Sequence, residues 1–311
     1  MNGTEIISFL SENFPSIANA VSAVTGGLFT AIFLRHNTAA KEFEKIKAGH
    51  FKEVADELLK TGEMTHTEYY KANNFLAVAQ KADKHYAKLP QRDSFDAYDF
   101  DWFIRFYEAV GNISNEEMQN LWAKILAGEI SHPSTYSLRT IDVLKNLNKT
   151  DASLFEKVCM HSVFSDGKYF LPRYDKYLDE IGISYSEIML LSELGLMYND
   201  GTIVLKFKPQ IGTNILLSNR NLLMTYTSSS EINRMININQ YPFTQVGYEI
   251  ASLKGYCASN DDFMLFAKEV SAGIKDVTFE VHRIINRTNN QVQYDATDLL
   301  AEKLATESNA G

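Results

Sequence analysis

The chain has 311 residues, 45% of them hydrophobic and only six of them proline, so it is a folded protein with a sizeable core and not a disordered one. Its net charge of −9 argues against a general nucleic-acid binder, which needs clustered Lys and Arg, but leaves room for a small local basic patch. Cys159 and Cys257 are far apart, fit no ligand spacing and read as reduced, buried thiols of a cytoplasmic body.

Residues 13–34 carry no charge. As a helix they would reach roughly 33 Å, about the thickness of a hydrocarbon core. Ile17, Val21, Val24, Leu28 and Ile32 form one helical stripe, and Ala18, Ser22, Gly26 and Thr30 form a small-residue stripe beside it. The apolar residues favour insertion by about 3–4 kcal/mol in sum. Asn19, Thr25, Gly27 and Pro15 oppose it, so spanning is marginal. Three readings compete: a membrane helix, an amphipathic helix buried in a core or oligomer interface, and a secretory signal. Acidic Glu5 and Glu12 and the lack of a basic start disfavour the third. If the helix spans, Arg35, Lys41, Lys45 and Lys47 hold the following side in the cytoplasm.

Beyond this segment (residues 1–37), residues 38–90 are expected to form a helical hairpin. Its first arm is the charged run 38–61, which Gly62 ends; Thr65 and Glu68 make a capping box for a second helix over 66–88. Residues 89–98 read as a polar linker. A small helical bundle over 95–160 follows. Trp102, Phe103, Phe106 and Tyr107 lie at helical spacing in 99–109, and Ser114 with Glu117 is expected to cap the next helix, which Gly128 closes. Ser137 is the expected N-cap of 138–147, and Thr150 or Asp151 that of 152–160.

Residues 161–256 change character. Ser184 and Glu187 cap a short helix that stops at Gly195; two β-prone runs then flank Asn199-Asp200-Gly201, a strong hairpin signal. Further β-prone runs at 221–227 and 234–241 precede a helix at 244–254. This order resembles a winged-helix-like module, a fold-level analogy that does not imply DNA binding. Residues 257–311 are expected to hold a helix over 261–274, a strand over 276–285 and a short terminal helix with a loose tail after 295. In that strand Val277, Phe279, Val281 and Arg283 alternate with Thr278, Glu280 and His282, so one face is mostly apolar. The expected fold class is mainly α with an α+β C-terminal half.

No phosphate-loop, dinucleotide-binding, zinc-protease or nucleophile-elbow motif is present, and the seven histidines show no pairing on one helix face. No catalytic residue, metal site or cofactor is expected. Asp83, Lys84 and His85 read as a solvated face, and Asp99 and Asp101 as first-turn acids that complement a helix dipole. The densest cluster of unusual residues is Trp122, Glu129, His132 and Arg139. Trp122 would anchor the bundle, and Glu129 would pair with Arg139 across a short loop. The competing reading makes these residues a ligand or partner site in which Arg139 holds an anion.

The block SNEEMQNLWAKILAGEISHPSTYSLRTIDVLKNLNKTDASLFEKVC, with Trp122, Glu129, Pro133, Ser137, Arg139 and Thr140 at its distinctive places, resembles domain of unknown function 2806, an uncharacterised bacterial family. The stretch from Tyr241 through Gly247 to Ile250 fits the same group. The likeness extends over about residues 38–285 and is strongest at 95–160. It carries over no catalytic residue. It implies a bacterial cytoplasmic or membrane-associated accessory protein, and some related architectures resemble abortive-infection or anti-phage components. The leading expectation is therefore a non-enzymatic protein of the bacterial cytoplasm that oligomerises with itself or attaches to the inner membrane through residues 14–34. The alternatives are a soluble module that binds a protein, or less favourably a nucleic acid, and an enzyme whose site gathers Glu129, His132 and Arg139.

Overall fold

In the computed structural model, the residues described are 59–62, 65–89, 99–165, 167–253, 255–288 and 292–299. The uncharged run at 13–34, nearly all of the first hairpin arm and the terminal tail lie outside them. The described residues form two compact units that divide between Lys145 and Asn146. They hold helices throughout and two antiparallel sheets in the C-terminal half, an α+β arrangement.

The first unit comprises α1 (His66–Tyr86), α2 (Phe100–Val110), α3 (Glu116–Ser131) and α4 (Leu138–Leu144). Each start is fixed by a side chain that takes an orphan N–H. Thr65 and Glu68 exchange bonds of 2.8 and 3.2 Å, the expected capping box. Asp99 accepts from the N–H groups of Asp101 and Trp102. Ser137 caps α4 through the Thr140 N–H. The cap of α3 falls one residue later than expected: Asn115, not Ser114, reaches the Met118 N–H at 3.1 Å.

Helices α1 and α3 pack along each other. Their core is aromatic: Phe75 meets Tyr107 at 5.0 Å between ring centroids, Trp102 stacks on Phe106 at 5.1 Å, and Phe106 meets Trp122 edge-on at 5.5 Å. Gly128 does not end α3, as the sequence suggests, but lies inside it. Its missing side chain makes room for Tyr136, whose hydroxyl would sit 2.7 Å from an added Cβ.

The second unit opens with α5 (Lys149–Met160). Its cap is Asn148, reciprocated by Asp151, not Thr150 or Asp151. Then come β1 (Val163–Ser165), β2 (Lys168–Pro172), α6 (Asp175–Glu180), α7 (Tyr185–Glu193), β3 (Val204–Phe207), β4 (Gly212–Ser218), β5 (Leu222–Ser228), β6 (Ile236–Pro242), α8 (Gln245–Ser252), α9 (Asn260–Gly273), β7 (Thr278–Arg287) and β8 (Val292–Leu299). One sheet runs β1-β2-β6-β3 and the other β4-β5-β7-β8. The β4–β5 hairpin is thus inserted between two strands of the first sheet and belongs to the second. Strand β5 is buried along most of its length, and α9 packs against β5 and β7.

The hairpin expected at Asn199-Asp200-Gly201 does not form. Met197 bridges Phe243 and Val204 pairs with Asn239, so the flanking runs share one partner, β6 with its continuation. The three residues bulge outward between them, held by the Asp200 carboxylate accepting from the Thr202 N–H at 2.8 Å. Residues 296–299, expected to enter a helix, continue β8 instead, because β7 offers them an edge to pair with. That pairing shifts register on either side of Ile284. His282, expected on the polar face of its strand, is only 1% exposed: its ring lies 4.9 Å from that of Tyr294, and Nε2 is 3.2 Å from the Thr225 hydroxyl.

Helix α8 sits close to the end of the α7 segment. Thr244 caps it through the Gly247 N–H; its hydroxyl donates to the Gly195 carbonyl at 2.6 Å, and its backbone N–H to the Leu196 carbonyl at 3.1 Å. A Cβ on Gly247 would lie 1.9 Å from that oxygen, so only glycine permits the approach.

Candidate functional site

The four residues singled out in the first unit divide between core and surface. Trp122 is fully buried, packed edge-on against Phe106, and its Nε1 has no hydrogen-bond acceptor among the described residues. Glu129 is 5% exposed. Its two oxygens accept from the backbone N–H of Ser134 at 2.6 Å and of Tyr136 at 3.0 Å. This clamp holds a tight loop in which Ser134 takes a φ of 66°. The pairing of Glu129 with Arg139 expected from the sequence gives way to these backbone donors: Arg139 is exposed, and so is His132, whose N–H closes α3 on the Gly128 carbonyl. Two charge-assisted bonds to main chain suit Glu129 to anchoring a loop.

An open groove of about 580 Å³ runs between the C-terminal part of α1 and the start of α3. Lysines from α1 face acids from α3 there, and the polar groups largely satisfy one another. Lys81 donates to Gln119 at 2.9 Å and lies 3.8 Å from Glu116, and His85 bonds Asn120 at 2.8 Å.

In the second unit two features stand out. The first is the pair α6 and α7, joined by residues 181–184 with Gly182 at a φ of 62°. Ser184 and Glu187 form the expected capping box. The Ser184 N–H donates to the Glu187 carboxylate and holds its pKa below the ordinary value. Ile188 and Leu191 face the core, while Tyr185 is 60% exposed and Leu190 39%. Helix α7 contains two glutamates and neither Lys nor Arg.

The second is a cavity of about 180 Å³ lined by Phe164 and Tyr169 of the β1–β2 hairpin, Asn219 and Arg220 of the β4–β5 turn, Cys257 of the α8–α9 loop, and Arg287 at the end of β7. Asn219 builds it. Its Oδ1 accepts from the N–H of Asn221 at 2.8 Å and Leu222 at 2.6 Å, which shapes the turn; its Nδ2 donates to the Ala258 carbonyl at 3.3 Å, which ties the turn to the α8–α9 loop. Arg220 donates through Nη2 to the Gly255 carbonyl at 3.0 Å. Arg287 donates through Nη2 to the Ser218 hydroxyl and the Asn219 carbonyl, both at 2.9 Å. Burial pushes the Tyr169 phenol up to about 12, against the opposing pull of Arg220, so it stays an O–H donor. Among the described residues no group of three or more His, Cys, Asp or Glu could hold a metal ion.

Arg220 and Arg287 carry no local sequence signal, since the β5–β7 register brings them together. A turn signal that the sequence reading passed over could have placed Asn219 and Arg220 in a turn: Ser218-Asn219-Arg220-Asn221 is rich in turn-forming residues just before the β-prone run at 221–227.

These elements define an α+β protein with a helical first unit and a two-sheet second unit. The chain belongs to the family described as Protein of unknown function (DUF2806), which matches residues 62–266, more than half of its length. No curated protein and no solved structure is significantly similar to it.

Proposed function

We propose that this chain is a non-enzymatic interaction protein whose second unit is a winged-helix-like module turned to protein binding. Helix α5, strand β2, helices α6 and α7 and strands β3 and β6 follow one another with β2, β6 and β3 adjacent. Two helices joined by a four-residue, glycine-containing turn are the helix-turn-helix arrangement, whose second helix ordinarily enters a DNA groove. The observation that carries the reading is the composition of that second helix. It offers phosphates no cation, and it exposes Tyr185 and Leu190 beside Glu193. Such a face complements a partner that is apolar at its centre and basic at its rim.

Crosslinking in cells from a photoreactive group at position 190 tests this. The expected result is one protein adduct that Glu193→Lys removes. An adduct unaffected by that change, or duplex DNA binding at low salt with a steep salt dependence, refutes it.

A second reading rests on residues 13–34. The stripe Ala18, Ser22, Gly26 and Thr30 beside Ile17, Val21, Val24, Leu28 and Ile32 favours close helix–helix packing, hence self-assembly or attachment at the cytoplasmic face of the inner membrane. A role in anti-phage defence is the biological setting this reading proposes. Among the described residues no helix is long and apolar enough to cross a membrane. Fractionation and light scattering of the full chain against one lacking residues 1–36 test the reading; a full-length protein that is monomeric and stays in the soluble fraction ends it.

A further inference from the structure

We infer that the cavity between the β1–β2 hairpin, the β4–β5 turn and the α8–α9 loop binds a small phosphate monoester carrying one flat ring. Two guanidinium groups, Arg220 and Arg287, line it, and among the described residues neither meets a carboxylate. Among the described residues each is held in place through one nitrogen only, Nη2, by neutral oxygens. Among the described residues Nη1 and Nε of both have no acceptor and remain to donate, the fork geometry that suits a phosphoryl group. Two like charges on one small cavity, with no counter-ion among the described residues, repel each other weakly because both side chains are exposed, and a ligand of opposite charge turns that repulsion into attraction.

The charge count selects among anions. A phosphate monoester carries about −1.5 to −2 at neutral pH and balances both arginines, whereas a monocarboxylate balances one. The walls select the rest of the ligand. Phe164 and Tyr169 stand with ring centroids 4.9 Å apart and give the cavity an aromatic side. The protonated Tyr169 hydroxyl adds a neutral donor. A cavity of about 180 Å³ is smaller than the ~300 Å³ at which drug-sized sites begin, so the ligand is compact, with a single ring. The arginines are pre-positioned by backbone carbonyls, and Asn219 fixes the turn that carries one of them, so little ordering is needed on binding.

Calorimetric titration of the full chain at about 50 mM salt, where charge screening is modest, tests the inference. The probes are phenyl phosphate, inorganic phosphate and phenol. Phenyl phosphate is expected to bind more tightly than either of the others. Arg220→Gln and Arg287→Gln should each weaken it about tenfold or more, as loss of charge-assisted bonds does. Lys206→Gln, which removes an exposed charge elsewhere in the same unit, should leave it unchanged. Both arginines are exposed, so these variants keep their fold, and an unaltered circular dichroism spectrum verifies that. The inference is overturned if phenyl phosphate fails to bind at millimolar concentration. It is equally overturned if phenol binds as well, if inorganic phosphate matches phenyl phosphate, or if Lys206→Gln weakens binding as much as the arginine changes do.

Discussion

Gly247→Ala sets two effects of opposite sign against each other. Gly247 lies within α8, where alanine is favoured over glycine by ~1 kcal/mol on helix propensity alone. Against this stands the Leu196 carbonyl, 1.9 Å from the position of the new methyl group. Carbon and oxygen in weak contact keep ~3.3 Å or more, so helix and carbonyl must part by over ~1 Å. The obstacle is main chain and cannot swing away. Separation also stretches the bonds from Thr244 to the Gly195 and Leu196 carbonyls that fix the helix start. Overpacking costs ~1–3 kcal/mol and a lost cap about 1 kcal/mol more; set against the ~1 kcal/mol helix gain, the net loss is expected at about 1–3 kcal/mol. Gly273, the last residue of α9, is the control: nothing lies within 4 Å of its added Cβ. Gly273→Ala should therefore gain up to about 1 kcal/mol. Urea unfolding of the full-length variants measures both. A Gly247→Ala protein within ~0.5 kcal/mol of the parent would show that α8 does not rest on Leu196.

Removing the Glu129 carboxylate leaves two backbone N–H groups without their acceptor, so Glu129→Ala should cost about 2–4 kcal/mol in thermal unfolding, more than Arg139→Ala at the exposed position nearby. Asn219→Ala should lower stability by about 1–3 kcal/mol and speed amide exchange at Asn221 and Leu222, whose N–H groups it now holds. Glu187 has a folded pKa below its usual 4.5, chiefly because the Ser184 N–H donates to it. Its stabilising contribution is therefore present above that unfolded value and is lost as pH falls through the lower folded one. Glu187→Gln should cost about 0.5–1 kcal/mol at neutral pH and flatten this part of the acid limb.

Local signals were legible where local chemistry decides. Thr65 with Glu68, Ser137 and Ser184 with Glu187 all cap the helices they announce, since a cap involves only residues three or four apart; Asp99, read as a first-turn acid, proves to be the N-cap of α2. Strands β5 and β6 also lie close to their apolar runs. Two caps were misplaced by one to three residues, at Asn115 and Asn148; the larger misreadings occur where distant partners decide. Asn199-Asp200-Gly201 has the composition of a hairpin turn, yet both its flanks pair with the run around β6. Gly128 resembles a helix stop because the ring it accommodates, Tyr136, belongs to the next loop. The start of β8 resembles a helix because its strand character comes from the edge of β7. The small cavity was illegible for the same reason: Arg220 and Arg287 become neighbours only through sheet register.

The interleaving of the two sheets has a consequence for any attempt to divide the protein. The family match stops at residue 266, after β4 and β5 but before β7 and β8. A fragment cut at that boundary would retain the first sheet and leave the second as a lone hairpin. Strand β5 would face solvent along the edge that β7 occupies, exposing Leu222, Leu223 and Met224, each at most 1% exposed in the full chain. An unsheltered apolar edge invites strand exchange between copies. The limits of family likeness are thus not limits of autonomous folding: a shortened chain would sample a self-association foreign to the whole protein, and assembly measurements made on it would report the cut.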